Sequence, residues 1–161
     1  MTLGSVNADA AIPTDPDQVI AAARAWLGTP YHDQASVPGV GCDCLGLARG
    51  VWRAVVGPEP ADVPPYGRGW GEIGAREVLA EGARARMIEI SLIELQPGAA
   101  VMFRLRAGGV ARHVGILTDE TAFIHACERL GVIEQALTLA WRRRLAFAFL
   151  YPRSPSSRPK D

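Results

Sequence analysis

The hydrophobic pattern of this chain changes period near Leu95, and that change limits the fold more than any other feature. Before it, apolar residues recur at helical spacing. In QVIAAARAWLG, Val19, Ala22, Ala23, Trp26 and Leu27 fall on one face, after Asp15-Pro16-Asp17 and before a stop at Gly28. In CLGLARGVWRAVVG, Leu47, Val51, Trp52 and Val55 make a second stripe, with Asp43 at the N-cap position. A shorter helix is expected over REVLAEGARA, 76 to 85. After Leu95 come AAVMFRL, RHVGILTD, TAFIHACE, GVIEQAL and LAFAFLYP, strand-like runs separated by Gly, Asp-Glu or charged turns. Helices followed by a run of strands define an α+β domain, its helices packed on a small, mainly antiparallel sheet.

At 161 residues the chain suits one domain with a core of its own. Residues 1–15 and 153–161 are rich in small residues, Pro and Ser and are expected to be flexible, which leaves 16–152 as the folded unit. Residues 58–73 read as a Pro- and Gly-rich loop. Gly46 and Gly50 are poor helix formers inside the second helix and suggest tight packing of that helix against the sheet.

Charge and cysteine usage exclude several classes of function. Seventeen basic and seventeen acidic residues cancel, so no global field draws the chain to nucleic acid. Trp141-Arg142-Arg143-Arg144 is the only basic run, and such a run reads as a solvated turn. Gly, Pro or Arg breaks every apolar run before the ~20 residues of a membrane helix, so no membrane insertion is expected. The N-terminus lacks the basic start and apolar run of a secretory signal, which points to synthesis in the cytoplasm. Three cysteines, two of them close neighbours, fit a reduced compartment or a working thiol better than a disulfide framework.

The stretch GCDCLGLARG raises the question of which thiol works. A cysteine in the first helical turn meets unpaired N–H groups and the positive end of the helix dipole, which favour a thiolate. Cys44 holds that place and Cys42 does not. A nucleophilic cysteine also needs a base and a group that orients the base. Of the three histidines, His32 lies in a loop, while His113 and His125 open onto consecutive strand-like runs. A hairpin turning at Asp119-Glu120 would bring those two close across the ladder. Taken singly, each of these residues reads as structural; together they form a constellation for nucleophilic catalysis.

These residues carry a resemblance. GTPYHDQASVPGVGCDCLGLARGVW resembles the nucleophile segment of the NlpC/p60 cell-wall cysteine peptidases, in which a Pro-Tyr loop precedes Asp-Cys-Ser-Gly-Leu at a helix start. The matching residues are Pro30-Tyr31 and Asp43-Cys44-Leu45-Gly46-Leu47. LQPGAAVMF resembles the family's Leu-x-Pro-Gly-Asp segment, and RHVGILTDETAFIHA its His-Val-Gly-Ile strand with a second His before Ala. The similarity covers residues 18–151, in family order. Leu45 stands for the usual Ser, Cys42 for an aromatic or aliphatic residue and Ala99 for an acidic one, departures that change pocket polarity and leave the triad.

The resemblance implies a papain-like α+β fold, with Cys44 as nucleophile, His113 as general base and His125 as the polar third member. It places Tyr31 near the substrate amine or oxyanion and counts Asp43 with it in the substrate-binding set. The implied substrate is an amide bond of a peptidoglycan stem peptide, next to a D-amino acid, cleaved without metal or other cofactor. The Asp-Cys-Leu-Gly-Leu variant and the absent signal are similar to peptidases of phage tail modules and gene transfer agents. That implies tail-tip or hub proteins as partners and action on the cell wall of a target cell. Two other readings stay open: a non-catalytic tail hub component of the same fold, and a zinc site of Cys42, Cys44, His113 and His125. Trp70, Trp141 and the Pro-rich loop fit either a substrate groove or a protein interface.

Overall fold

A computed structural model describes residues 11–59 and 76–154 of the chain. Residues 1–10 and 155–161 of the expected flexible ends, and residues 60–73 of the Pro- and Gly-rich loop 58–73 with Trp70, lie outside the described residues. The elements in chain order are α1 (Pro16–Arg24), β1 (Ser36–Val37), β2 (Gly41–Cys42), α2 (Cys44–Val55), α3 (Val78–Arg84), β3 (Ile88–Ile90), a 3-10 turn (Leu92–Glu94), β4 (Ala100–Phe103), β5 (His113–Leu117), β6 (Ala122–Cys127), β7 (Gly131–Ala136), α4 (Leu139–Arg142) and β8 (Leu145–Leu150). β1 and β2 pair as a ribbon; the other six form one sheet in the order β3-β8-β4-β5-β6-β7, with every neighbouring pair antiparallel. The α+β reading holds.

Local chemistry sets the helix starts. Asp15 accepts the N–H of Asp17 at 2.9 Å and Pro16 occupies the first turn, where its missing N–H costs nothing. α1 stops at Arg24, short of the expected Leu27, because residues 25–29 tighten into turns in which Trp26, Leu27 and Thr29 donate to carbonyls three residues back. Leu27 therefore leaves the apolar face and stands 44% exposed, while Trp26 goes into the core. Four further elements, β3, the 3-10 turn, the β1–β2 ribbon and α4, go beyond the sequence reading; none has a segment longer than four residues, too short to show a period.

The sheet buries both faces, and alternation along the strands sorts their residues. Met102, Val114, Ile116, Ile124, Ala126 and Phe149 pack with Val19, Ala23, Trp26, Leu47 and Val51 of the helical layer. Val101, Phe103, Leu117, Phe123 and Ala148 form a second cluster on the opposite face, with Trp141 against it. The Tyr151 hydroxyl donates to Ala48 O at 2.8 Å, tying the end of the last strand to the middle of α2. Of the expected flexible N-terminal segment, Thr14 is described as buried, with its N–H donating to Tyr151 O at 2.8 Å.

The two helix glycines do something other than the sequence suggested. A Cβ on Gly46 would lie 1.9 Å from Ala35 O, and one on Gly50 would lie 2.0 Å from the Trp26 ring. They admit the loop before β1 and the indole of Trp26 to the surface of α2, whereas the sheet meets that helix through Leu47 and Val51.

Candidate active site

The start of α2 is built around Asp43. Its backbone is extended (φ −102°, ψ −173°), and Oδ1 accepts the N–H of Gly46 at 2.7 Å. Oδ2 accepts the N–H of Gln34 at 2.7 Å. Ser36 adds a hydroxyl bond to Gly46 O at 2.6 Å, which ties the 32–37 loop to the first turn of the helix. With only 4% exposure, Asp43 holds the helix start and the Gln34 loop together through these two bonds. Cys42, fully buried, pairs through its own backbone with Pro30 O and the His32 N–H at 3.0 Å each. Burial first, then the negative charges of Asp43 and Cys44, push its thiol up to about 12, which makes it inert at neutral pH.

The Cys44 thiol emerges from this turn and reaches β5. It donates to Arg112 O at 3.7 Å, and a backbone hydrogen bond from Val114 favours its ionised form. The sulfur is thus held by the backbone on both sides of His113. Burial dominates its titration and pushes the thiol up to about 11, against the pull of backbone N–H groups at Val114, Leu45 and Cys44 itself. The expected thiolate at the helix start is therefore not the resting state, because desolvation outweighs the helix terminus. Tyr31 sits alongside, bridged through its backbone to Cys42. Burial raises its pKa, and the Cys44 charge raises it further, so the phenol keeps its proton at neutral pH.

His113 and His125 meet as the hairpin predicted. His113 Nε2 lies 2.8 Å from His125 Nδ1, and His125 Nε2 lies 2.6 Å from Gln135 Oε1 on β7. The rings sit among aromatics: Phe123 stacks on His125 at 4.4 Å, and Trp141 lies 5.7 Å from His113 and 5.2 Å from His125. Burial, followed by the charge on His125, holds His113 down to about 3; burial also lowers His125, opposed by the bond to Gln135. Both rings are neutral at pH 7.

Among the described residues, the hydrogen bonds of the Cys44 thiol run to the backbone around His113 rather than to its imidazole. Three neighbours of the histidines were not found from the sequence: Gln135, Cys127, whose sulfur is 3.4 Å from His125 Nε2, and Trp141 in this role. The only signal for them is alternation along GVIEQAL and FIHAC, which puts Gln135 and Cys127 on the face of His125 once the β6–β7 register is known. The basic run 141–144 starts in α4 and ends in a turn, with Arg142 donating to Glu120 O, and its tryptophan packs on the histidines. Among the described residues no group of three His, Cys, Asp or Glu side chains is arranged to hold a metal ion, so the four-ligand zinc site is not assembled. No described helix is long and apolar enough to cross a membrane.

No protein-family model matches the sequence, and no curated protein matches it. Solved structures do. The chain is similar to the NlpC/p60 domain of the peptidoglycan hydrolase SagA, with a TM-score of 0.58 and 26% identity over 84% of this chain and 97% of that one. It is also similar to an NlpC/p60 family protein from Bacillus cereus (0.60, 22%, over 88% of this chain and 42% of that one). A third is a lipoprotein-like NLP/P60 family protein from Staphylococcus aureus (0.59, 23%, over 90% and 45%). The fold is therefore that of NlpC/p60 domains. The chain spans nearly all of the SagA domain and less than half the length of the other two proteins.

Proposed function

We propose that the chain is a cysteine peptidase that hydrolyses an amide bond in peptidoglycan stem peptides, next to a D-amino acid. The observation that carries this reading is one arrangement: a thiol at a helix start, held by the backbone around His113, whose ring is bonded to His125. The NlpC/p60 fold and the likeness to the domain of the peptidoglycan hydrolase SagA support the substrate class.

On this reading the resting pair is a neutral thiol and a neutral imidazole. The Cys44 S–H turns from the Arg112 carbonyl to Nδ1 of His113, and the sulfur attacks the amide carbonyl carbon. The oxygen that becomes negative accepts from the Cys44 N–H and the Tyr31 hydroxyl. His113, now protonated and steadied by His125, gives its proton to the departing amine, leaving a thioester. Water then attacks with His113 as base, releasing the carboxylic acid and restoring the thiol.

Purified stem peptides incubated with the protein and read by mass spectrometry test the proposal. The expected result is a new amine and a new carboxylate terminus with the wild type and none with Cys44→Ala. Intact stems with both would overturn it. The likeness of Asp43-Cys44-Leu45-Gly46-Leu47 to phage-tail and gene-transfer-agent peptidases extends the proposal to a particle-borne enzyme with tail-tip or hub partners, acting on the wall of a target cell. It should then co-purify with a tail-like particle, and recovery only as free protein would count against that extension.

A further inference from the structure

We propose that Gln135 is a positioning residue that fixes the tautomers of both histidines and thereby leaves Nδ1 of His113 as the proton acceptor. The catalytic consequence rests on the peptidase reading; the tautomers themselves do not. Gln135 is half-buried on β7, opposite Phe123 and diagonal to His125 across the β6–β7 ladder. Its Oε1, 2.6 Å from His125 Nε2, is an acceptor only, so the hydrogen belongs to Nε2 of His125. A neutral imidazole carries one N–H, so Nδ1 of His125 holds a lone pair. That lone pair lies 2.8 Å from His113 Nε2, which must supply the hydrogen. The lone pair of His113 is then on Nδ1, the nitrogen left to take a proton from sulfur.

Both tautomers reverse if the Gln135 amide turns over. With its NH₂ toward His125, Gln135 would donate to Nε2, His125 would donate from Nδ1, and His113 would accept at Nε2. Its Nδ1 would then carry hydrogen and could not take the thiol proton. An acceptor at position 135 thus decides whether the dyad has a base at all. The Cys127 sulfur, 3.4 Å from His125 Nε2 and 3.7 Å from Nδ1, is too weak an acceptor to compete with the amide oxygen at 2.6 Å. Burial keeps both rings neutral, so each has a single hydrogen to place.

Long-range proton–nitrogen spectra of the full chain, labelled with nitrogen-15 histidine at pH 7.5, test this without substrate. In the wild type both rings should carry hydrogen on Nε2. Gln135→Glu keeps an acceptor and should keep both tautomers, whereas Gln135→Leu should move hydrogen onto Nδ1 in a large fraction of both rings. Stem hydrolysis should follow: kcat lower by at least ~10-fold in Gln135→Leu with KM little changed, and recovered in Gln135→Glu with its acid limb at higher pH. A wild-type His113 or His125 with hydrogen on Nδ1 would overturn the proposal, as would unchanged tautomers or unchanged kcat in Gln135→Leu. If the tautomers respond as stated and the wild type cleaves no stem, the peptidase reading fails and the tautomer assignment stands.

Discussion

Asp43 accepts the backbone N–H of Gln34 at 2.7 Å, so the residue that caps the nucleophile helix also holds the one described non-glycine residue with a positive φ, 63°. A residue in that left-handed region needs an external partner to stay there. The same carboxylate satisfies the Gly46 N–H, which makes the position of Cys44 depend on the loop behind it.

Replacing this carboxylate should therefore damage stability and site together. Asp43→Ala removes a buried cap and leaves the Gln34 N–H without its partner, at a combined cost of about 2–4 kcal/mol. Asp43→Asn keeps one acceptor oxygen and should cost roughly half as much. Urea denaturation of the two variants measures this; an Asp43→Ala protein as stable as the wild type would show that the helix start is held by something else.

Gly46 gives a second, sharper contrast. A methyl group there would meet the backbone oxygen of Ala35 at 1.9 Å, and no side-chain rotation relieves that contact. Gly46→Ala should lose about 1–3 kcal/mol even though alanine is the better helix former by ~1 kcal/mol. Gly82→Ala in α3, where the nearest atom is the end of Arg86 at 3.8 Å, should be neutral or gain up to ~1 kcal/mol. Thermal melts of the pair separate the two environments; matching shifts would remove the close approach as an explanation.

Those glycines also mark where sequence reading stopped. The change of period near Leu95, the cap at Asp43 and the twelve-residue hop from His113 to His125 are local patterns, and the structure keeps all three. What Gly46 touches, how burial acts on the Cys44 thiol and which residue bonds to His125 Nε2 depend on contacts between segments far apart in the chain. Gln135 reaches His125 only because Phe123 pairs with Gln135 and His125 with Ile133, a register set by the turn at 128–130 and unreadable from either strand alone. Burial then reversed the electrostatic expectation for the thiol, since a helix terminus supplies a modest attraction and desolvation a larger penalty.

The histidine pair predicts an acid-sensitive fold. Unfolded histidine titrates near 6.5, whereas folded His113 is held down to about 3 and His125 is also lowered. Between those values the unfolded chain binds more protons than the native one, so stability rises with pH and is lost as pH falls from 6.5 toward 3. The slope should approach about 1.4 kcal/mol per pH unit for His113 alone. Urea midpoints across that range measure it, and His113→Phe should flatten the slope; an unchanged slope in that variant would place the proton uptake elsewhere.

The two cysteines of the opening motif should differ in reach more than in acidity. Burial pushes Cys44 up to about 11 and Cys42 to about 12, so both are thiols at neutral pH and iodoacetamide should act slowly on the native protein. Cys44 stands partly exposed at the helix start with its sulfur directed at β5, whereas Cys42 is fully buried beneath the Pro30–Tyr31 loop. Labelling read by peptide mapping should therefore reach Cys44 well before Cys42, with a rate that climbs about tenfold per pH unit up to pH 10. Loss of stem hydrolysis should track Cys44 modification; Cys44→Ala should be inactive, and Cys42→Ala should retain most activity because that side chain only fills the core. A labelling rate for Cys44 that is already level at pH 7 would mean that a thiolate–imidazolium pair exists at rest, and the neutral-pair mechanism would have to be abandoned.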